Sequence, residues 1–167
     1  MSQKPLQPME DLSHLSDSDV LALWVSAMDE LRRRGITRSA NNPTGDYAER
    51  FIAEKLHLSL QGNSAAGYDA IGADGTRYQI KSRRLATPQT SRQLSPIRNL
   101  KRNPFDYLIV LLLGPKFYVL ECWKIPIDAV RDYAKYRSHV NGHILHASGA
   151  VLLDQRTVRL AEIEQVH

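Results

Sequence analysis

Four polar residues between positions 49 and 81 are of types that could act together in chemistry: Glu49, Asp69, Gln79 and Lys81. The first three carry oxygen atoms, which are the ligands that a hard cation such as Mg²⁺ prefers. The fourth carries an amine that can stabilise negative charge on a neighbouring group. They can form one site only if the helix and strands that carry them bring their side chains together.

Glu49 falls in a stretch whose apolar spacing predicts a helix from about Gly45 to Leu56. At about 100° per residue, Glu49 lies among Ala48, Ile52 and Ala53 on the apolar face of this helix. A carboxylate on a packing face is costly to desolvate unless a positive group meets it. Two interpretations stay open: a glutamate at the edge of the face that pairs with an arginine, or a member of a functional site.

Gln79 and Lys81 fall in a predicted strand from Arg77 to Arg83, which forms a hairpin with a first arm from Tyr68 to Gly72. Side chains alternate between the two faces of a strand, so Gln79, Lys81 and Arg83 share one face. The apolar residues of the strand, Tyr78 and Ile80, share the other.

The turn of this hairpin decides whether Asp69 can join Gln79 and Lys81. A two-residue loop, 74–75, pairs Ala70 with Gln79 and sends Asp69 to the wrong face. A three-residue loop, 73–75, with a left-handed glycine at its end, pairs Asp69 with Gln79. The sequence permits both loops, and a slip of one residue moves every side chain to the opposite face.

A basic stretch follows the hairpin in a chain whose net charge is +4. Between Lys81 and Arg102 there are seven Lys or Arg residues and no Asp or Glu. Basic side chains beside Ser, Thr, Gln and Asn are typical of contacts to nucleic-acid phosphates, and the alternative is a solvated surface loop. The candidate nucleic-acid-binding residues are Arg83, Arg84, Arg92, Arg98, Lys101 and Arg102.

The remaining pattern predicts an α/β or α+β protein with a sheet flanked by helices. We expect residues 1–16 to form a flexible arm and residues 17–167 a single domain with one core. A helix over 17–34 precedes the helix of Glu49. An apolar strand over 105–113 should be central and buried on both faces, with a partner strand over 117–123. Pro126 fits the first turn of a further helix, which should run to about Tyr136.

The helix glutamate, the strand aspartate and the Gln-x-Lys of the next strand resemble the PD-(D/E)XK nuclease superfamily, which includes many restriction endonucleases. The resemblance covers residues 44–84, about a quarter of the chain. It implies a restriction-endonuclease-like fold with a mixed central sheet flanked by helices. The chain departs from the family pattern in two places: Tyr68 precedes Asp69 where the family has proline, and Gln79 replaces the usual acid.

By this resemblance, Asp69, Gln79 and Glu49 bind Mg²⁺ or Mn²⁺, and Lys81 orients or helps to activate the attacking water. The implied activity is that of a restriction-like DNA endonuclease, which would form a homodimer to cut both strands. Two alternatives stay open. One is a catalytically inactive nucleic-acid-binding module of the same fold. The other is a structural or partner-binding domain in which Glu49, Asp69 and Lys81 form a buried ion-pair network.

Composition limits the remaining classes. No apolar run approaches the roughly 20 residues that cross a bilayer, and the N-terminal residues show no hydrophobic signal region, so we expect a cytoplasmic protein with no membrane partner.

A single cysteine, Cys122, excludes an intramolecular disulfide and a cysteine-only zinc site. The spacing of His139, His143 and His146 could place them on one helical face and bind zinc, but Gly142 interrupts such a helix.

Overall fold

The computed structural model describes residues 11–62 and 67–164. The chain divides into two compact units, with the boundary between Pro43 and Thr44. The single domain expected over 17–167 stays a prediction. Most of the predicted arm, residues 1–10, lies outside the described residues.

The main element of the first unit is the helix α1, Asp17–Arg33. The side chain of Ser16 caps it by accepting a hydrogen bond from the N–H of Asp19 at 3.2 Å. Gly35 follows the helix with a φ of +67°, the left-handed conformation that commonly ends helices. The helix predicted for this segment is confirmed.

Within its described residues, the second unit is built on a six-stranded sheet, with a separate two-stranded hairpin, four α-helices and two short 3₁₀ helices. The strands of the sheet, in the order in which they pair, are β1 (Ser59–Leu60), β2 (Ala70–Ile71), β3 (Arg77–Arg84), β4 (Tyr107–Leu113), β5 (Val119–Pro126) and β8 (Val158–Arg159). The hairpin strands are β6 (Lys135–Arg137) and β7 (Gly142–Ile144). The helices are α2 (Thr44–Leu56), α3 (Ile127–Tyr133), α4 (Ala150–Leu153) and α5 (Ala161–Glu164).

The pairing of the large sheet is mixed. β3 and β4 run parallel, and every other neighbouring pair runs antiparallel. Two parallel neighbours need a crossover connection, and residues 85–106 provide it. The predicted α/β class with a mixed sheet is therefore confirmed.

β4 is the centre of this unit, as the apolar run of the sequence predicts. Residues 108–113 are all buried, because both faces of the strand are covered. On one face, Ile109 packs in a cluster with Ile52 of α2; on the other, Leu108 packs with Val130 of α3 and with the crossover connection. Helices therefore flank both faces of the sheet.

The region after β5 differs from the sequence-based expectation. A helix expected from Pro126 to about Tyr136 ends at Tyr133, and Ala134 is extended with a ψ of 137°. Residues 135–137 then pair with β7. Pairing with the next strand along the chain overrides the helical spacing here. Within the described ranges, no helix is both long and apolar enough to span a bilayer.

Candidate active site

The register of β2 and β3 brings Asp69 to Gln79. Ala70 lies opposite Tyr78, and the same register places Asp69 opposite Gln79. The turn has three residues, 73–75, and its last residue is a glycine with a φ of +84°. Of the two loops that the sequence permits, the three-residue loop is therefore the one that forms.

The carboxylate of Asp69 is held in place by two donors. Its Oδ2 atom accepts a hydrogen bond from Gln79 Nε2 at 2.5 Å and another from the backbone N–H of Ile80 at 2.6 Å. Ile80 lies just beyond the last paired residues of β2 and β3. Asp69 thus extends the hydrogen bonding of the hairpin with its side chain, which fixes the direction of the carboxylate.

Lys81 lies on the same face of β3 as Gln79 and is half-buried. Burial lowers its pKa below the usual 10.5, because an ammonium group loses hydration there. The carboxylates of Asp69 and Glu49 oppose this shift, while the positive charge of Arg98 adds to it. The Lys81 amine therefore shares one electrostatic environment with both predicted carboxylates and with one residue of the basic stretch.

Glu49 approaches Lys81 from α2. Its neighbours Ala48 and Ile52 are fully buried against the sheet, whereas Glu49 is half-buried at the edge of the packing face. The hydroxyl of Ser82 donates to the carbonyl of Thr44 at 3.2 Å and joins β3 to the start of the helix. β2 pairs with β3 only as far as Tyr78, so Lys81 lies beyond the last residue of β3 that pairs with β2.

The donor set suits Mg²⁺. It consists of two carboxylates, Glu49 and Asp69, and the amide of Gln79. No group of three or more His, Cys, Asp or Glu side chains within 11–62 and 67–164 could hold a metal ion. A cation at this site would therefore rely on two carboxylates, the Gln79 amide and water, and Mg²⁺ commonly keeps several waters and needs only one or two carboxylates.

Three of the predicted nucleic-acid-binding residues, Arg98, Lys101 and Arg102, line a cavity of about 570 Å³. We call it the basic cavity. It lies between the C-terminal part of the crossover connection and the β6–β7 hairpin. The crossover connection is more than a solvated loop, because it buries apolar side chains in the core: Leu85, Leu94, Ile97 and Leu100.

The other three predicted contacts lie elsewhere. Arg83 and Arg84 are exposed, and each donates to a backbone carbonyl, of Ser91 and of Pro115 respectively. Arg92 forms a two-point ion pair with Glu121, at 2.6 and 3.0 Å. The charge of Arg92 is thus matched inside the protein, and its predicted contact with nucleic acid stays a prediction.

Sequence reasoning missed the polar residues that the β6–β7 hairpin brings to the basic cavity, among them Tyr136, Asn141 and His143. Gly142 is the sequence feature that could have indicated this close contact between the hairpin and the crossover connection. A Cβ atom there would lie 2.9 Å from the Cβ of Pro96, so only glycine allows the crossover connection to approach so closely.

The three histidines considered for zinc do not share a helical face. His139 lies in a 3₁₀ helix, His143 in β7, and His146 in the segment after β7. His143 lines the basic cavity, whereas His139 and His146 line a separate cavity of about 340 Å³.

No protein-family model matches the chain, and no curated protein matches it. The resemblance to the PD-(D/E)XK nucleases therefore rests on the four residues of the site and on the elements that position them.

Proposed function

We propose that this chain is a Mg²⁺- or Mn²⁺-dependent endonuclease of the PD-(D/E)XK type that hydrolyses phosphodiester bonds in DNA in the cytoplasm and acts as a homodimer. The observation that carries the proposal is the hydrogen bond between Asp69 and Gln79, with Lys81 on the same strand face. The proximity of Glu49 and Arg98 to Lys81 supports it further.

Each residue has a chemical role in this proposal. Asp69, Glu49 and the amide of Gln79 would hold the cation. When bound, Mg²⁺ supplies charge for the phosphate and lowers the pKa of water. The oxygen of the attacking water forms a bond to phosphorus and gives up its proton to solvent, while the bond from phosphorus to the sugar oxygen breaks and that oxygen takes up a proton from solvent. Lys81, close to both carboxylates, stabilises the negative charge that develops on the attacking oxygen and the phosphate.

One observation favours the second candidate, an inactive nucleic-acid-binding module. The amide nitrogen of Gln79 donates to Asp69 at 2.5 Å, so the nitrogen of this amide, and not its oxygen, faces the carboxylate. Binding of a cation through Gln79 would require its amide to turn so that the oxygen faces the ion. A neutral amide is also a weaker ligand for a hard cation than the carboxylate that the family usually has.

Plasmid nicking with purified protein tests the proposal. We expect nicking with Mg²⁺ or Mn²⁺, no nicking in EDTA, and loss of nicking on Asp69→Asn. Asparagine can still accept the hydrogen bond from Ile80, so thermal unfolding of Asp69→Asn should show that the fold persists. DNA binding with a steep salt dependence and no cleavage would support the inactive module. Neither binding nor cleavage would leave a structural domain.

A further inference from the structure

The basic cavity is a built feature of the fold. The backbones of Ile97 and His143 exchange two hydrogen bonds, each at 2.8 Å, which join the crossover connection to β7. Ile97 and Leu100 are buried in the core and anchor the connection from below. The absence of a side chain at Gly142 brings the two walls together.

Charge in the basic cavity is of one sign. Arg98, Lys101 and Arg102 line it, and no acidic side chain is among its described lining residues. Arg98 is close enough to Lys81 to lower the pKa of that amine. Arg98 thus belongs both to the lining of the basic cavity and to the charged groups around Lys81, and the cations of the cavity suit the phosphates of a nucleic-acid strand.

The opposite wall offers an aromatic surface. Tyr136 is 56% exposed, although two contacts hold its side chain. It packs against the imidazole of His143 with 5.3 Å between centroids, and its hydroxyl donates to Asn141 Oδ1 at 3.1 Å. An exposed, fixed ring opposite a row of cations is the combination that holds single nucleotides, through stacking and phosphate contacts.

The volume of the basic cavity determines whether it can hold a single nucleotide or a base pair of a duplex. A volume of about 570 Å³ falls within the range of pockets that hold one small molecule. A base pair within a stacked duplex cannot enter such a space, so a base that reaches Tyr136 must leave the stack first.

We propose that the basic cavity binds one unpaired nucleotide of the DNA strand, with its phosphate at Arg98, Lys101 and Arg102 and its base against Tyr136. Its placement beside a cleaved bond rests on the proposed nuclease function, whereas the binding itself does not. The preferred substrate is then DNA with an unpaired nucleotide next to the scissile phosphate.

Fluorescence anisotropy in EDTA tests the binding without cleavage. The probes are three labelled duplexes: one fully paired, one with a single bulged thymidine, and one with an abasic bulge. We expect the protein to bind the thymidine bulge about 5- to 100-fold more tightly than the other two, because stacking of one base contributes that much. Tyr136→Ala should lose the preference, and Tyr136→Phe should keep it because the ring remains.

Two controls exclude general effects. Arg131→Ala removes a partly exposed charge that pairs with Asp128 outside the basic cavity, and it should leave all three affinities unchanged. Free thymidine monophosphate should compete only weakly, because it lacks the neighbouring strand. Equal binding of paired and bulged DNA, a preference that survives in Tyr136→Ala, or tight binding of the free nucleotide alone would overturn the proposal.

Failure of the subsite and failure of the nuclease function give different results. Metal-dependent nicking without a preference for the bulge refutes the subsite and leaves the nuclease. A preference for the bulge that depends on Tyr136, without nicking under any metal, supports the subsite and refutes the nuclease.

Discussion

β3 carries Arg77 and Lys81 on one face, four positions apart, and the protein treats their charges in opposite ways. Arg77 forms a two-point ion pair with Asp106, at 2.9 and 3.2 Å, and its backbone N–H donates to the same carboxylate at 2.8 Å. The Lys81 side chain is half-buried and forms no ion pair with any residue that the structure describes, although Asp69 and Glu49 are near.

Their pKa values show the difference. The hydrogen bonds to Asp106 raise the pKa of Arg77, whereas burial lowers that of Lys81 despite the two carboxylates nearby. A matched ion pair that remains partly exposed to water contributes little beyond local structure. A half-buried cation with nearby carboxylates but no direct partner costs stability, and such costs are concentrated at functional sites. The comparison therefore indicates a structural role for Arg77 and supports the catalytic role that we propose for Lys81.

Substitution of the two residues should give the largest contrast. Lys81→Met should reduce the rate of Mg²⁺-dependent plasmid nicking by roughly 100-fold or more, since a charge that stabilises the transition state is lost. Arg77→Met, on the same strand and face, should change the rate only a few-fold. Nicking time courses at saturating Mg²⁺ measure both, and equal losses in the two variants would contradict the comparison.

Gln79→Glu should test, through metal binding, whether the part of β3 around Lys81 differs in function from the part around Arg77. Without metal, a third carboxylate faces Asp69 Oδ2 in place of a donor, and we expect a loss of about 1–3 kcal/mol in the free energy of unfolding. Mg²⁺ should restore more stability than it gives the wild type, because the ion binds only the folded state. Thermal unfolding with EDTA and with Mg²⁺ measures this.

The matched control is Gln155→Glu, an exposed position that adds the same charge away from the site. If both variants respond to Mg²⁺ equally, the stabilisation comes from general charge screening, and Gln79 is not at a metal site.

The basic stretch contains a similar contrast, between Arg92, which forms an ion pair with Glu121, and Arg102, which lines the basic cavity. Arg92→Met should destabilise the fold by about 1–3 kcal/mol, because Glu121 loses its charged partner in a half-buried setting. Arg102→Met should leave stability unchanged and reduce the slope of log affinity for DNA against log salt by about 1. Urea unfolding and anisotropy titrations at several salt concentrations measure the two effects, and a salt-slope change in Arg92→Met would return Arg92 to the interface.

Local features of the sequence predicted the first helix, the helix of Glu49 and the buried central strand correctly. These elements follow from residue spacing and capping alone, as Ser16 and the apolar run of β4 illustrate. The site was predicted only up to a choice between two turns. Both loops satisfy the local rules for hairpin turns. The three-residue loop is favoured because Ile80 packs into the core while its backbone N–H donates to Asp69, and these contacts exist only in the folded sheet.

Two features that depend on contacts with another element, the strand of Tyr136 and the ion pair of Arg92, were not predicted from the sequence. Tyr136 has the spacing of a helix residue, yet its strand pairs with β7, seven positions further on at His143. Arg92 belongs to a basic run, yet the fold brings Glu121 to it from 29 positions away. In both cases the deciding partner lies on another element, so neither the helical spacing around Tyr136 nor the run of charge around Arg92 reveals it.

The smallest expected effect is the pH dependence that Lys81 gives to stability. Its pKa in the folded protein is below 10.5, so between that lowered value and 10.5 the folded state binds fewer protons than the unfolded state. The free energy of unfolding should therefore rise with pH across this window, by at most about 1.4 kcal/mol per pH unit. Below the window the cost of the half-buried charge is present in full.

Lys81→Met should remove this rise in stability with pH, whereas Arg77→Met should retain it, since Arg77 stays charged throughout. Urea unfolding at a series of alkaline pH values measures the difference between variants, which cancels the other groups that titrate there. An identical pH dependence in the wild type and Lys81→Met would show that the Lys81 ammonium is well solvated, and the contrast between the two ends of β3 would then be lost.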